Sequence, residues 1–279
     1  MGTSSLTIGI VAPARSIDRD TADRVTRFTR EFYGNDVELH FHPQCFLQSG
    51  HFAGSDDARG LAFIEYANAP DIDMIWFARG GYGSMRLKDE VFERLDQNAR
   101  AKAYLGYSDM GAVLSRLYKL QIGRPIHAPM PAEINRSNGE ACISRVLDYV
   151  TGRSKDGLET QIASPHPRIA INVTVLEHLI GTQWQPDLSG HVLMLEDVGE
   201  YEYAIDRKMF SLCNNANIRS VQGIAAGRFS SVPENDDIEF GASPIEIVRD
   251  WCRRSDIPYL GEADIGHDIG NKIVVWGKG

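Results

Sequence analysis

Apolar and polar positions alternate in blocks along the first half of the chain. Residues 6–13 form a short apolar run that ends at Pro13, which predicts a buried strand. Residues 18–33 read as a helix, with Asp18 or Asp20 placed to cap it. Residues 37–41 predict a second strand, and 56–69 a helix capped near Ser55. Residues 73–78 are a fully apolar third strand, followed by a helix over 84–97. A fourth strand over 102–106 leads to a helix over 109–119. Residues 125–129 make a short strand and a turn, and 140–152 a helix. Strands that alternate with helices imply a parallel sheet covered on both faces.

The next segment changes character. Arg153-Ser154-Lys155-Asp156-Gly157 is polar, and Ala163-Ser164-Pro165-His166-Pro167 carries two prolines. Residues 153–167 therefore read as a linker between an N-terminal domain, 1–152, and a C-terminal domain, 168–279. In the second half the apolar segment 168–180 is helical from Thr174 onward. A strand over 191–196, a helix over 203–214 and a strand over 221–226 follow, the last leading into Gly227-Arg228-Phe229. A helix over 243–254 opens with Ser243-Pro244 as cap and first-turn pair. Short strands are expected over 258–261 and 272–276. The fold class is α/β.

Composition narrows the function classes. At 279 residues and 43% hydrophobic, the chain can bury the cores of two domains. A formal net charge of −9 argues against nucleic acid as the main partner. No apolar run approaches the length of a membrane span. The first apolar run is short and has no basic segment before it, so it reads as a strand and not a signal peptide. Cys45, Cys142, Cys213 and Cys252 are scattered without a CxxC pair. They are expected to be thiols in a reducing compartment, which makes the cytoplasm the expected location.

Candidate chemistry gathers just beyond the carboxyl ends of strands, where open parallel sheets bind ligands. Gly106-Tyr107-Ser108-Asp109 follows a strand and opens a helix, as a nucleophile elbow does, although Met110 stands where GxSxG has its last glycine. The alternative is a plain N-cap serine. Arg79-Gly80-Gly81-Tyr82-Gly83 could aim backbone amides at an anion, or simply form a tight turn. Neither it nor Gly266-His267-Asp268-Ile269-Gly270-Asn271-Lys272 fits a dinucleotide fingerprint or a P-loop. His267 lies between Gly266 and Asp268 in a loop after a strand, where a base could sit; His127 could shape a pocket. Glu196-Asp197 ends an apolar strand and offers a carboxylate to orient a histidine, with Glu200 and Asp206 as rivals. His40 and His42 share a strand face but no carboxylate completes a ligand set, so no metal is expected.

Taken together, these residues resemble the LD-carboxypeptidase family of serine peptidases, also called murein tetrapeptide carboxypeptidases, whose relatives include microcin C self-immunity peptidases. The resemblance is carried by Ile10-Val11-Ala12-Pro13-Ala14, by Ala78-Arg79-Gly80-Gly81-Tyr82-Gly83-Ser84-Met85-Arg86-Leu87 and by Gly106-Tyr107-Ser108-Asp109. It continues through Gly181-Thr182, Leu195-Glu196-Asp197-Val198-Gly199-Glu200, Tyr203-Ala204-Ile205-Asp206-Arg207 and Gly266-His267. It implies a flavodoxin-like parallel-sheet N-terminal domain that carries the nucleophile. A smaller C-terminal α/β domain would carry the acid and base.

The resemblance also implies a Ser-Glu-His triad, with Ser108 as nucleophile, His267 as base and Glu196 as the acid, Glu200 being the reserve. Backbone amides of Gly81 and Asp109 would hold the oxyanion, and Arg79 or Arg86 the substrate's terminal carboxylate. The implied substrate is a small muropeptide, cut between the L-centre of meso-diaminopimelate and terminal D-alanine during peptidoglycan recycling. No cofactor, metal, nucleic acid or membrane partner is implied, and a homodimer is expected. A peptidyl-nucleotide substrate is one alternative, for which Trp184 could stack; a non-enzymatic binding protein is another. The chain departs from the family pattern at His127-Ala128-Pro129, usually His-Gly-Pro, and at Ala170-Ile171-Asn172-Val173, usually a glycine-rich stretch.

Overall fold

The computed structural model describes residues 5–234 and 238–277. The chain divides between Gly157 and Leu158 into two compact units.

The first unit is built on five parallel strands: β1 (Leu6–Val11), β2 (Val37–Phe41), β3 (Met74–Phe77), β4 (Ala103–Gly106) and β5 (Arg124–His127). Their spatial order is β2-β1-β3-β4-β5. β3 and β4 are buried throughout, as their unbroken apolar runs require. Among the described residues six α-helices accompany the strands: α1 (Arg19–Tyr33), α2 (Asp56–Asn68), α3 (Asp89–Glu93), α4 (Gln97–Ala101), α5 (Met110–Lys119) and α6 (Glu140–Thr151). The strand order reverses direction between β1 and β3, which opens a crevice outside their carboxyl ends. The loops after β1, β3 and β4 all emerge there, because Val11 pairs with Phe77 and Trp76 with Leu105.

Of the two candidate caps for α1, Asp18 is the one that serves: its carboxylate accepts the Thr21 amide at 2.6 Å. The helix expected over 84–97 is not continuous. A 3₁₀ turn, Ser84–Arg86, ends in extended backbone at Leu87 and Lys88 before α3 begins. Asp96 then accepts the amides of Asn98 and Ala99, at 2.8 and 3.3 Å, and starts α4 afresh. Leu87, Val91 and Phe92 are all buried at roughly helical spacing, so the broken segment shows the pattern of an unbroken one.

The second unit has the parallel strands β6 (Arg168–Asn172), β7 (Val192–Val198), β8 (Gly223–Ser230) and β9 (Tyr259–Glu262), in that spatial order, and a short β10 (Val274–Val275). Its helices are α7 (Val173–Leu179), α8 (Glu202–Cys213), α9 (Ala216–Arg219) and α10 (Pro244–Arg254). The first residues of segment 168–180 are a buried strand, and Asn172 turns the chain into α7 by accepting the Val175 amide at 3.0 Å. α9 has no counterpart in the sequence reading. Ser243 and Glu246 form a capping box at the start of α10. Residues 158–167, read as linker, are tied into this unit: the Glu159 amide donates to the Ile273 carbonyl at 2.9 Å. All four cysteines are buried, and none is disulfide-bonded. Among the described residues no helix is long and apolar enough to cross a membrane.

Candidate active site

Ser108 occupies the turn between β4 and α5 with φ at +59°, in the left-handed region. Serine adopts that conformation at a cost of about 1–3 kcal/mol, and such strain persists only where the surroundings impose it. Here the chain leaves a buried strand and enters a buried helix N-terminus within three residues, which leaves no slack. The turn is braced from below. Asp109 is buried, its carboxylate accepts the Ser84 amide at 2.9 Å, and its carbonyl accepts the Ser84 hydroxyl at 2.7 Å. Burial pushes the Asp109 carboxyl up, against the pull of the Ser84 and Gly83 hydrogen bonds and the Arg59 charge. On the other side Tyr107 donates its hydroxyl to Glu133 at 2.6 Å and sets its ring edge-on to the buried His127.

The glycine turn after β3 leans on the same serine. A methyl group at Gly80 would stand 3.1 Å from Ser108 Cβ and 3.2 Å from its Oγ. Gly81 has φ at +110°, and the stem of Arg15 covers the place where a side chain would begin, its Cγ 2.8 Å away. Only glycine satisfies both conditions at 81. Arg79 is half-buried in this turn. Burial first, and then the neighbouring Arg15 charge, push its guanidinium down, while Asp18 and Glu133 pull the other way. Arg86 turns elsewhere: its Nε and Nη2 reach Asp56 at 3.1 and 2.9 Å.

Beneath the turn lies Arg59, fully buried on α2. It donates to the Pro13 carbonyl, to the Gly83 carbonyl at 2.8 Å and to Asp56. One guanidinium thus bolts the loop after β1 to the loop after β3. Sequence reasoning missed both Arg59 and Arg15. Arg15 stands two residues beyond the proline that ends the first strand, and that position was its signal.

The second unit assembles a histidine–carboxylate pair. Glu196 is fully buried on β7, at a point where the pairing of β7 with β8 slips between Leu195 and Asp197. Such a bulge re-aims a side chain. His267, in the loop after β9, meets it with Nδ1 2.5 Å from Glu196 Oε2. Gly227 allows the approach, since a Cβ there would sit 3.0 Å from Glu196 Cβ. A carboxylate on Nδ1 holds that proton in place and makes Nε2 the basic nitrogen.

The rival acids have other tasks. Asp197 points to the N-terminus of α7, where it accepts Asn172 Nδ2 at 2.7 Å and the Thr174 amide at 3.0 Å. Burial, then the Glu196 charge, push its carboxyl up. Glu200 pairs with Lys208 at 2.5 Å. Asp206 accepts the Trp251 indole N–H at 2.8 Å. Among the described residues no group of three or more His, Cys, Asp or Glu is placed to hold a metal ion.

The first unit thus offers a strained serine at a strand-to-helix turn, and the second a carboxylate-bound histidine. Residues 8–128 match the model of the LD-carboxypeptidase N-terminal domain, and residues 168–279 that of the LD-carboxypeptidase C-terminal domain. The chain belongs to the LD-carboxypeptidase family of peptidases. It is 31% identical to a Synechocystis sp. protein named as a carboxypeptidase, over 82% of this chain and 76% of that one. It is 26% identical to the murein tetrapeptide carboxypeptidase of Pseudomonas aeruginosa, over 97% and 91%. The solved structure of MccF in complex with glutamyl sulfamoyl guanosine shares the fold, with a TM-score of 0.78 at 17% identity, over 99% of this chain and 92% of that one.

Proposed function

We propose that the chain is a serine LD-carboxypeptidase that removes the terminal D-alanine from murein tetrapeptides, cutting the amide formed by the L-centre of diaminopimelate. The observation that carries this reading is Ser108, held at φ +59° against Gly80. In the proposed reaction Ser108 Oγ attacks the amide carbonyl while His267 Nε2 takes its proton. Glu196 steadies the imidazolium that forms. The oxyanion is received by the amides of Gly81 and Asp109, and one such donor is typically worth about 100- to 1000-fold in rate. His267 returns the proton to the departing D-alanine amine, and water then hydrolyses the acyl-enzyme by the same steps in reverse. Arg79, with Arg15 beside it, is the proposed reader of the terminal carboxylate, a bidentate task that suits guanidinium groups. Arg86, engaged by Asp56, braces the turn. The cytoplasm is the proposed compartment, peptidoglycan recycling the proposed setting and a homodimer the proposed assembly.

The test is release of D-alanine from a purified tetrapeptide muropeptide, alongside inactivation by a serine-directed phosphonate. Labelling of Ser108 with D-alanine release supports the reading. Labelling without release moves the substrate to another amide, and absence of both leaves a binding protein. The second reading is an aminoacyl-nucleotide amide, suggested by the MccF structure solved in complex with glutamyl sulfamoyl guanosine. Stacking on a nucleobase needs an open ring face, and Trp184 is only 7% exposed, which favours the peptide.

A further inference from the structure

His267 does not hold its own position against Glu196. It sits in a tight loop, and the loop is closed around one side chain from the neighbouring strand. Arg228 on β8 reaches Asp264 with Nη1 at 2.5 Å, and reaches Asp268 with Nε at 2.5 Å and Nη2 at 2.9 Å. Its own amide donates to the Ile265 carbonyl at 2.8 Å. The two glycines of the loop make room for it. A Cβ at Gly266 would stand 2.9 Å from Arg228 Cβ, and one at Gly270 would stand 3.0 Å from Nη2. The buried Asn271 completes the closure by accepting the Gly266 amide at 3.1 Å.

We propose that Arg228 is a positioning residue for His267: its fork grips the carboxylates on both sides of the histidine and so fixes the imidazole on Glu196. The inference rests on His267 being the base of the proposed reaction. Solvent exposure argues for orientation over bulk stability. Arg228 and Asp268 are each 37% exposed in their side chains, and half-exposed ion pairs contribute little to folding. Geometry is what a planar fork adds, and lysine cannot supply it because it offers one point of charge where two carboxylates must be spaced.

Charges near His267 within its unit include Glu196 on β7, Arg228 on β8, Asp264 and Asp268 on its own loop, and Lys272 at the loop's end, whose amide donates to the Asp264 carbonyl at 3.0 Å. Glu159 adds a further carboxylate behind Asp264, 3.5 Å from its amide. Removing the Arg228 charge would leave these acids unbalanced and favour the imidazolium. The base would then need a higher pH to become neutral.

The experiment compares Arg228→Lys, Arg228→Gln and Asp268→Asn in the full chain. It measures kcat and KM for D-alanine release over a pH series, and the titration of the His267 ring by NMR, assigned with His267→Asn. For Arg228→Gln, kcat is expected to fall by about 30- to 100-fold, the scale of a 1 Å misplacement, with KM nearly unchanged. Both its acid limb and the His267 titration midpoint should move up by about half a pH unit. Arg228→Lys should lower kcat by roughly tenfold while leaving the acid limb in place, because it keeps the charge and loses the fork. Wild-type kcat and an unmoved His267 titration in folded Arg228→Gln would overturn the proposal. Should Arg228→Gln not fold, Arg228→Lys and Asp268→Asn decide by the same kcat criterion. If the wild type releases no D-alanine, the proposed substrate fails, and the NMR titration alone decides the role of Arg228.

Discussion

Gly80 faces Ser108 so closely that a methyl group added to the glycine would stand 3.1 Å from the serine Cβ. The serine is strained at φ +59° and the glycine keeps the space in front of it clear. Ser108→Ala and Ser108→Gly should therefore both lose hydrolysis but differ in stability. Alanine keeps the left-handed strain and glycine relieves it, so Ser108→Gly should be the more stable of the two by about 1 kcal/mol. Urea denaturation of the two folded variants measures this. Equal midpoints would show that the turn carries no strain, and near-normal turnover by either variant would remove Ser108 as nucleophile.

The triad acid can be assigned by contrast. Glu196→Gln should lower kcat by roughly 10³–10⁴, because an amide cannot hold the imidazole in its working tautomer. Glu200→Gln should stay within about threefold of wild type, since Glu200 is occupied by Lys208. Steady-state kinetics of the two variants decides the matter, and the reverse ranking would move the acid to Glu200.

Carboxylate reading by the paired arginines predicts a KM effect. Losing a charge-assisted hydrogen bond costs about 1.5–3 kcal/mol, so Arg79→Ala and Arg15→Ala should each raise KM for a free tetrapeptide by about 10- to 100-fold. An amidated tetrapeptide should be a poor substrate for wild type and lose little more in the variants. Equal cleavage of free and amidated peptides by wild type would show that the carboxylate is not read. Arg86→Ala should leave KM close to wild type, as its partner is Asp56.

Asp18 gives a pH-dependent stability term. Its cap bonds to Thr21, by backbone and side chain, hold its carboxyl below the usual range. A depressed folded pKa means that the stabilisation is present above the unfolded value near 3.9 and disappears as pH falls through the folded one. Asp18→Ala should cost about 1 kcal/mol at pH 7 and less at about pH 3. Urea midpoints at the two pH values test the sign, and a constant difference would exclude an ionic cap.

What was legible in the sequence was what short stretches of chain decide for themselves. Ser108 could be proposed as a nucleophile because strand, turn and helix are consecutive there, and His267 as a base because glycines mark its loop. Glu196 stood out as an acid at the end of an apolar strand, although its lead over Glu200 depends on a bulge that no residue pattern announces. The residues that were missed act over distance. Arg59 looks like any polar residue of a surface helix until the loops after β1 and β3 are folded over it. Arg228 was visible at a strand end, but its grip on Asp264 and Asp268 needs the chain to return some 40 residues later. The broken helix between Ser84 and Gln97 was misread for the opposite reason. Its buried positions keep helical spacing across the break, and only the cap at Asp96 signals a restart.

Arg59 gives the loops that carry Arg15 and Arg79 a common footing. Because one buried guanidinium carries both the Pro13 and the Gly83 carbonyls, Arg15 and Arg79 stand on loops that cannot shift independently. On the proposed reading, the layer that would meet the ligand and the layer that holds its shape are therefore separate residues. Exchanging Arg15 for another side chain would rewrite what the crevice accepts while the glycine turn beside Ser108 keeps its place. Such a division would let preference drift without dismantling the turn that holds Ser108.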